Sequence, residues 1–381
     1  MLKKILLGVI AALSLAFPAS AQVKVGIIVS ATGPVASVGI PQQRTAGTLP
    51  DKLGGQPVQY ILLDDASDTS TAVKHARRLI QEDHVDVIIG PSLTPNALAL
   101  IDVVSEQKVP LIALAASSLI VEPLDDRRHW VFKTPQNDSQ MATLIVDHMK
   151  QRKIKSVAFI GFSDAYGDGW IRVMTKLVEN AGIKILASER YQRTDSSVTG
   201  QILKIVSQNP EAVFIAAAGT PAALPQTSLK ERGFGGAIYQ THGVANNDFL
   251  RVGGAALEGT FVPAGPVLVA EQLPDSHPAK KPGMDFIQRY EAIPGAGTRS
   301  TFGAYLWDAQ LILNAAIPTA VSQAKPGTPE FRAALRDAIE KVRDVSGPNG
   351  IYTMSPTNHL GLDDRASVMT QVVDGKWRLV P

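Results

Sequence analysis

Val23-Lys-Val-Gly-Ile-Ile-Val29, followed by Ser30-Ala-Thr-Gly-Pro-Val-Ala-Ser-Val-Gly39, is the stretch from which the fold can be read. The first seven residues are a short apolar, β-branched run that reads as a strand. The next ten are small, hydroxylic or glycine and read as the loop at that strand's carboxyl end. Outward from this point the same pair of features repeats. Val58–Leu63, Val85–Ile89 and Val109–Ala113 are further strand candidates, and Thr69–Glu82 and Pro95–Gln107 between them carry apolar residues at helical spacing. Strand, helix and strand in alternation is the pattern of a parallel, doubly wound sheet.

After the polar stretch Lys133–Asp138 the pattern restarts. Ser156–Gly161, Ile183–Ser188, Ala212–Ala216 and Ala237–Gln240 read as strands, with helices predicted at Ser139–Gln151, Gly167–Ala181, Val198–Ser207 and Ala222–Arg232. Beyond Gly259 comes a Pro/Gly-rich stretch, 263–282, then helical patterns near Met284–Ala292, Thr301–Ile317 and Pro329–Val342 that suit a return to the first half. Short strand candidates at Ser367–Val372 and Trp377–Val380 suit a return to the second.

The N-terminus predicts where the protein works. Met1–Ala21 holds Lys3 and Lys4, an apolar run from Ile5 to Phe17, then Pro18 and the small triplet Ala19-Ser20-Ala21, the layout of a secretory signal peptide cut after Ala21. The apolar run falls short of a membrane span, and no later stretch reaches one. The chain has no cysteine, so it carries neither a disulfide nor a lipid on an N-terminal Cys. A protein free in a periplasm-like space is expected. Of 37 basic and 35 acidic residues, the two lost with the signal leave 35 of each, a balance that argues against a nucleic-acid partner. The 381-residue chain exceeds the size at which single cores stop growing, so two domains are expected, held by apolar burial that the 45% hydrophobic share can sustain.

Catalytic signatures are missing. There is no G-x-S-x-G, G-x-x-x-x-G-K-[ST], G-x-G-x-x-G or H-E-x-x-H, and the seven histidines are scattered without metal-ligand spacing, so no enzyme, metal or cofactor is expected. Asp64-Asp65 at a strand end is better read as a capping or loop-bonding carboxylate than as an acid/base pair.

In open α/β sheets ligands bind beyond the carboxyl ends of strands, where loops and helix N-termini offer free N–H groups. Here those places carry Ser30–Gly39, Gly90-Pro-Ser-Leu-Thr94 and Ala115-Ala-Ser-Ser118. With Gly33-Pro34, Asp64-Asp-Ala-Ser-Asp68, Val87-Ile-Ile-Gly90, Val109-Pro-Leu-Ile112, Tyr166-Gly167 and Thr301-Phe-Gly-Ala-Tyr-Leu-Trp-Asp308, in that order, the mature chain resembles the type I periplasmic solute-binding proteins, specifically the leucine/isoleucine/valine-binding family of ABC importers. The resemblance implies two doubly wound lobes joined by three crossings, 22–136 plus 264–350 and 137–263 plus 351–381. It also implies a monomer that closes on a small ligand and hands it to a membrane permease.

Carried over position by position, the resemblance places Thr94 where the family has a ligand-binding serine. Ala115 and Ser117 fall on the segment that offers an amide and a hydroxyl to a ligand carboxylate, and Tyr166 on a tyrosine that closes over the ligand. Ser37 and Ser92 are near enough to contribute. Each has a plain structural alternative: Thr94 and Ser117 as helix caps, Tyr166 as a core tyrosine. The departures bear on the ligand. Val38 and Thr220 stand where amino-acid binders carry aromatics, and His242 stands where they use a carboxylate for the ligand ammonium. An imidazole is a poor partner for a cation, so the expected ligand is a small organic acid without an α-amine, an aromatic carboxylate above all. A branched-chain or neutral amino-acid binder would need a carboxylate from elsewhere, such as Asp248. A receptor feeding a signalling partner is the remaining class, and an exported hydrolase the least supported.

Overall fold

The computed structural model describes residues 22–381 apart from 294 and 296, so the expected signal peptide lies outside the described residues. Two sheets organise the chain. The first has six strands in the order Lys52–Leu53, Gln56–Asp64, Val23–Val29, Val87–Ile89, Leu111–Ala113 and Val131–Lys133. All its pairings are parallel except the edge hairpin formed by Lys52–Leu53. The opening strand is central: Val25 pairs with Tyr60 on one side and Val87 on the other. Its near-continuous burial is what a strand covered on both faces requires, and explains why it reads as an apolar run instead of an alternating one.

The second sheet has seven strands in the order Lys376–Leu379, Val368–Val373, Phe261–Ala264, Ala237–Gln240, Ala212–Ala216, Ser156–Phe162 and Lys184–Tyr191. Its last five are parallel, and the two C-terminal strands add antiparallel at the edge. The late helices Thr301–Val321 and Pro329–Glu340 pack on one face of the first sheet, while Thr69–Gln81 and Thr94–Glu106 cover the other. The architecture is two α/β lobes, and the chain passes between the sheets after Lys133, after Ala264 and before Val368. The passages meet at Gly265, where a Cβ would lie 2.1 Å from Asn349 Oδ1 and 3.1 Å from Gln136 Nε2. A side chain at 265 would collide with these two amide groups, so glycine is needed there.

Helix ends follow local chemistry. Asp68 caps Thr69–Gln81 through Thr71 N at 2.7 Å, and Asp164 caps Ala165–Asn180 through Tyr166 N and Gly167 N. Several elements differ from expectation. Ala36–Ala46 is helical where a loop was read, because Pro41 and Gly39 hide its helical character. Gly39 is needed there: a Cβ would lie 2.1 Å from the Ser30 carbonyl, so this helix lies directly on the strand end. Lys280–Glu291 starts four residues early because Pro282 sits in its first turn, where proline is tolerated. Thr301–Val321 runs on past Pro318, whose ring packs on the Gly54 turn. Val131–Lys133 and Phe261–Ala264 are unexpected strands that run into the polar and Pro/Gly-rich stretches, and Asn247–Gly253 is an unexpected short helix.

Candidate functional site

The carboxyl ends of both sheets face one another across a closed pocket. Val38, Ser92, Leu93, Thr94, Leu114, Ala115, Ala116, Pro135, Phe302 and Tyr305 line it from the first lobe and its crossings. Tyr166, Arg193, Ala218, His242 and Gly243 line it from the second. The centre of a water-sized sphere can reach only about 30 Å³ of it, which makes it a small slot. A wider hollow of about 720 Å³ between Glu122, Asn137, Asp147 and Leu362 is an open groove behind the crossings. Size favours the groove, but chemistry favours the slot: Thr94 Oγ1, Arg193 Nη1 and both ring nitrogens of His242 are buried without a hydrogen-bond partner, and all belong to residues that line it. Buried polar atoms in native folds are otherwise paired, so such a convergence marks a place built for something else to bond.

The expected residues divide into those whose polar atoms are free and those already engaged. Thr94 is the first residue of Thr94–Glu106, whose cap position is Leu93 and has no side-chain cap bond, so its hydroxyl does not cap the helix. Ala115 lines the slot directly after the strand Leu111–Ala113. Ser92 also lines it, but its hydroxyl accepts from Ser30 N at 2.9 Å and donates to Gln42 Oε1 at 2.5 Å. Ser117 is buried outside the lining, and its hydroxyl oxygen accepts from Leu119 N at 3.3 Å as the cap of a short 3-10 turn. The capping alternative therefore holds for Ser117 and not for Thr94. Val38 lines the slot. Ser37 and Thr220 lie outside it and join the lobes instead: Thr220 N donates to Ser37 Oγ at 3.1 Å, and Asn246 Nδ2 donates to Ser37 O at 3.3 Å.

Tyr166 lines the slot with its hydroxyl 2.8 Å from Thr241 Oγ1, which itself donates to Ala217 O at 2.6 Å. Burial holds its phenol well above the ordinary range. His242, 1% exposed, sits beside Trp170 with ring centroids 5.6 Å apart. Burial, with the nearby charge of Lys133, pushes its imidazolium down to about 3, so the ring is neutral at physiological pH and offers one donor and one acceptor. Asp248 lies away from the slot and pairs with Arg251. Asp64 and Asp65 bond the loops around Ala31, Thr32 and Ser67, in line with their structural reading.

Sequence reasoning missed two cations. Lys133 is fully buried and donates to Ala116 O at 2.5 Å and Asn137 Oδ1 at 2.7 Å, pinning the Ala115–Ser117 segment to the first crossing. Burial pushes its ammonium down to about 7. Arg193 follows the strand Lys184–Tyr191, and its side chain is only 14% exposed. Nothing local in Tyr191-Gln-Arg-Thr194 distinguishes it from a solvated loop arginine; its place at the carboxyl end of a strand in the second half was the available signal. Among the described residues lining the slot there is no carboxylate, and Arg193 carries the one formal charge.

Two facing α/β lobes around a pocket lined by unpaired polar groups form a place where a small molecule can bond. Residues 22–376 match the family described as periplasmic binding protein, and the chain belongs to that family. It is 25% identical to Leu/Ile/Val-binding protein homolog 3 of Brucella melitensis over 92% of each chain. An extracellular ligand-binding receptor from Rhodopseudomonas palustris HaA2 is 47% identical, with a TM-score of 0.91 over 94% of this chain and all of that one. A solute-binding protein of an ABC transporter from R. palustris, solved in complex with benzoate, shares the fold at 20% identity and a TM-score of 0.79 over 94% of this chain and 95% of its own.

Proposed function

We propose that this solute-binding protein captures a small organic acid, an aromatic carboxylate of the benzoate class, in the periplasm after removal of residues 1–21, and delivers it to a membrane ABC permease. One observation carries this reading: a slot lined by no carboxylate, in which the residue standing where an amino-acid binder would meet the ammonium, His242, is a neutral imidazole. A cationic amine would be buried there without a countercharge, which costs far more than an unpaired neutral group. An acid meets Thr94, the backbone of Ala115 and Ala116, and Arg193. The slot is walled by Val38, Leu114, Phe302 and Tyr305, apolar and aromatic groups against which a ring can pack. That the benzoate complex shares this fold is consistent with the class of ligand. Residues 22–136 with 264–350, and 137–263 with 351–381, act as the two lobes that close on it.

The test is a thermal-shift screen of residues 22–381 against aromatic carboxylates, aliphatic carboxylates and neutral amino acids, since a ligand that binds the native state raises the melting temperature. A rise with benzoate-type acids and none with leucine or valine is expected. The reverse pattern would place this chain with its Leu/Ile/Val-binding relatives and refute the ligand class.

A further inference from the structure

Resting on the reading of the slot as an acid site, we propose that Arg193 is the residue that reads the ligand's negative charge, and that it does so only on closure: the first lobe receives the acid with neutral groups, and the second brings the charge. The first lobe's lining, Thr94, Ser92, Ala115 and Ala116 among it, is uncharged. The other nearby cation, Lys133, is committed, since its ammonium points at Ala116 O, Ser117 O, Gln136 O and Asn137 Oδ1 and stands outside the lining. Arg193 alone combines a permanent charge with a free donor in the slot.

Its side chain is set before any ligand arrives. Nε donates to Asp164 Oδ2 at 2.5 Å, and the guanidinium carbon lies 4.4 Å from the Phe162 ring centroid. The other oxygen of Asp164 caps the helix Ala165–Asn180, so the carboxylate is fixed at both ends and takes only the Nε side of the guanidinium fork. The Nη1 side remains buried and unpartnered. A planar fork immobilised on one side and open on the other is a preorganised anion receptor.

The division between lobes gives the charge a second consequence. In this structure the open side of Arg193 is buried, which is unfavourable until an acceptor is present, so an acid stabilises this form more than its uncharged amide does. Selection between the two then occurs at the closing step.

Calorimetry and small-angle scattering on the parent, Arg193→Gln and Arg193→Lys, with benzoate, benzamide and L-leucine as probes, test this. Arg193→Gln should weaken benzoate roughly ten- to a hundredfold, the scale of a lost hydrogen bond to a charged group, and weaken benzamide less, so that the preference for the acid shrinks; a parent-like far-UV circular dichroism spectrum shows that the fold is intact. Arg193→Lys should keep part of the preference. Saturating benzoate should compact the parent and leave Arg193→Gln extended. Parent-like preference for benzoate over benzamide in Arg193→Gln, or parent-like compaction at saturation, would overturn the proposal. If the parent prefers L-leucine to benzoate, the ligand class is wrong. Arg193 is then judged on leucine's own carboxylate: loss of leucine binding in Arg193→Gln keeps its role, and unchanged binding removes it.

Discussion

Thr94→Val separates a ligand-binding hydroxyl from a structural one by sign. Thr94 Oγ1 is buried and unpartnered, and its helix is capped from Leu93 without any side-chain bond, so removing the hydroxyl breaks nothing within the protein. Valine keeps the branched shape. The ligand-free melting temperature should therefore stay within about 0.5 °C of the parent. A capping threonine would have lost about 1 kcal/mol, equivalent to roughly 1.3 °C in a chain of this size. If, as proposed, the hydroxyl donates to the ligand carboxylate, that bond is worth about 1.5–3 kcal/mol, and the Kd for the acid found by the screen should rise roughly tenfold to a hundredfold. Differential scanning fluorimetry and titration calorimetry on the same preparation read both quantities. A lowered ligand-free melting temperature with unchanged Kd would refute the assignment and restore the capping role.

Ser37→Ala removes the acceptor of Thr220 N and strands that N–H between the closed lobes. Closure should weaken by about 0.5–1.5 kcal/mol and the apparent Kd rise a few-fold, with scattering showing a larger extended fraction at subsaturating ligand. His242→Glu places a carboxylate in the slot; acid affinity should fall by like-charge repulsion, and an affinity equal to the parent's in calorimetry would take His242 out of the pocket. His242 also predicts a pH dependence. Its folded pKa, about 3, lies below the ordinary value of 6.5, so the unfolded chain binds the proton first and stability falls as pH drops from about 6.5 towards 3. His359, pushed down to about 4 by burial, adds to the same slope over a narrower window. Urea unfolding across that range should show the decline, and His242→Gln should flatten it.

Most of the fold was legible because the signals are local. A central parallel strand must be apolar along its length, and a helix packed on it must repeat its apolar residues with helical period, so Val23–Val29, Ala212–Ala216 and Thr69–Gln81 declare themselves within a dozen residues. Ala36–Ala46 did not, because Gly39 is there for contact with Ser30 and Pro41 breaks the pattern. Within the site, the strand-end rule led to the segments Gly90–Thr94 and Ala115–Ser118, and the family resemblance to Thr94, Ala115, Tyr166 and His242, which line the slot, whereas Ser37, Thr220 and Ser117 lie near it with their polar groups engaged elsewhere.

The sequence by itself determined the class: a doubly wound chain in two repeats, with small and hydroxylic strand ends and no catalytic motif. Tertiary structure alone decided which polar atoms are left for a ligand. That is a matter of pairing across distant segments. Gln42 and Ser30 occupy Ser92, Leu119 occupies Ser117, and Thr220 meets Ser37 from the other lobe. Asp164, 29 positions away, turns an ordinary loop arginine into a fixed charge with one open side. Hydrogen-bond satisfaction is a property of the packed chain, and no spacing rule along the backbone contains it.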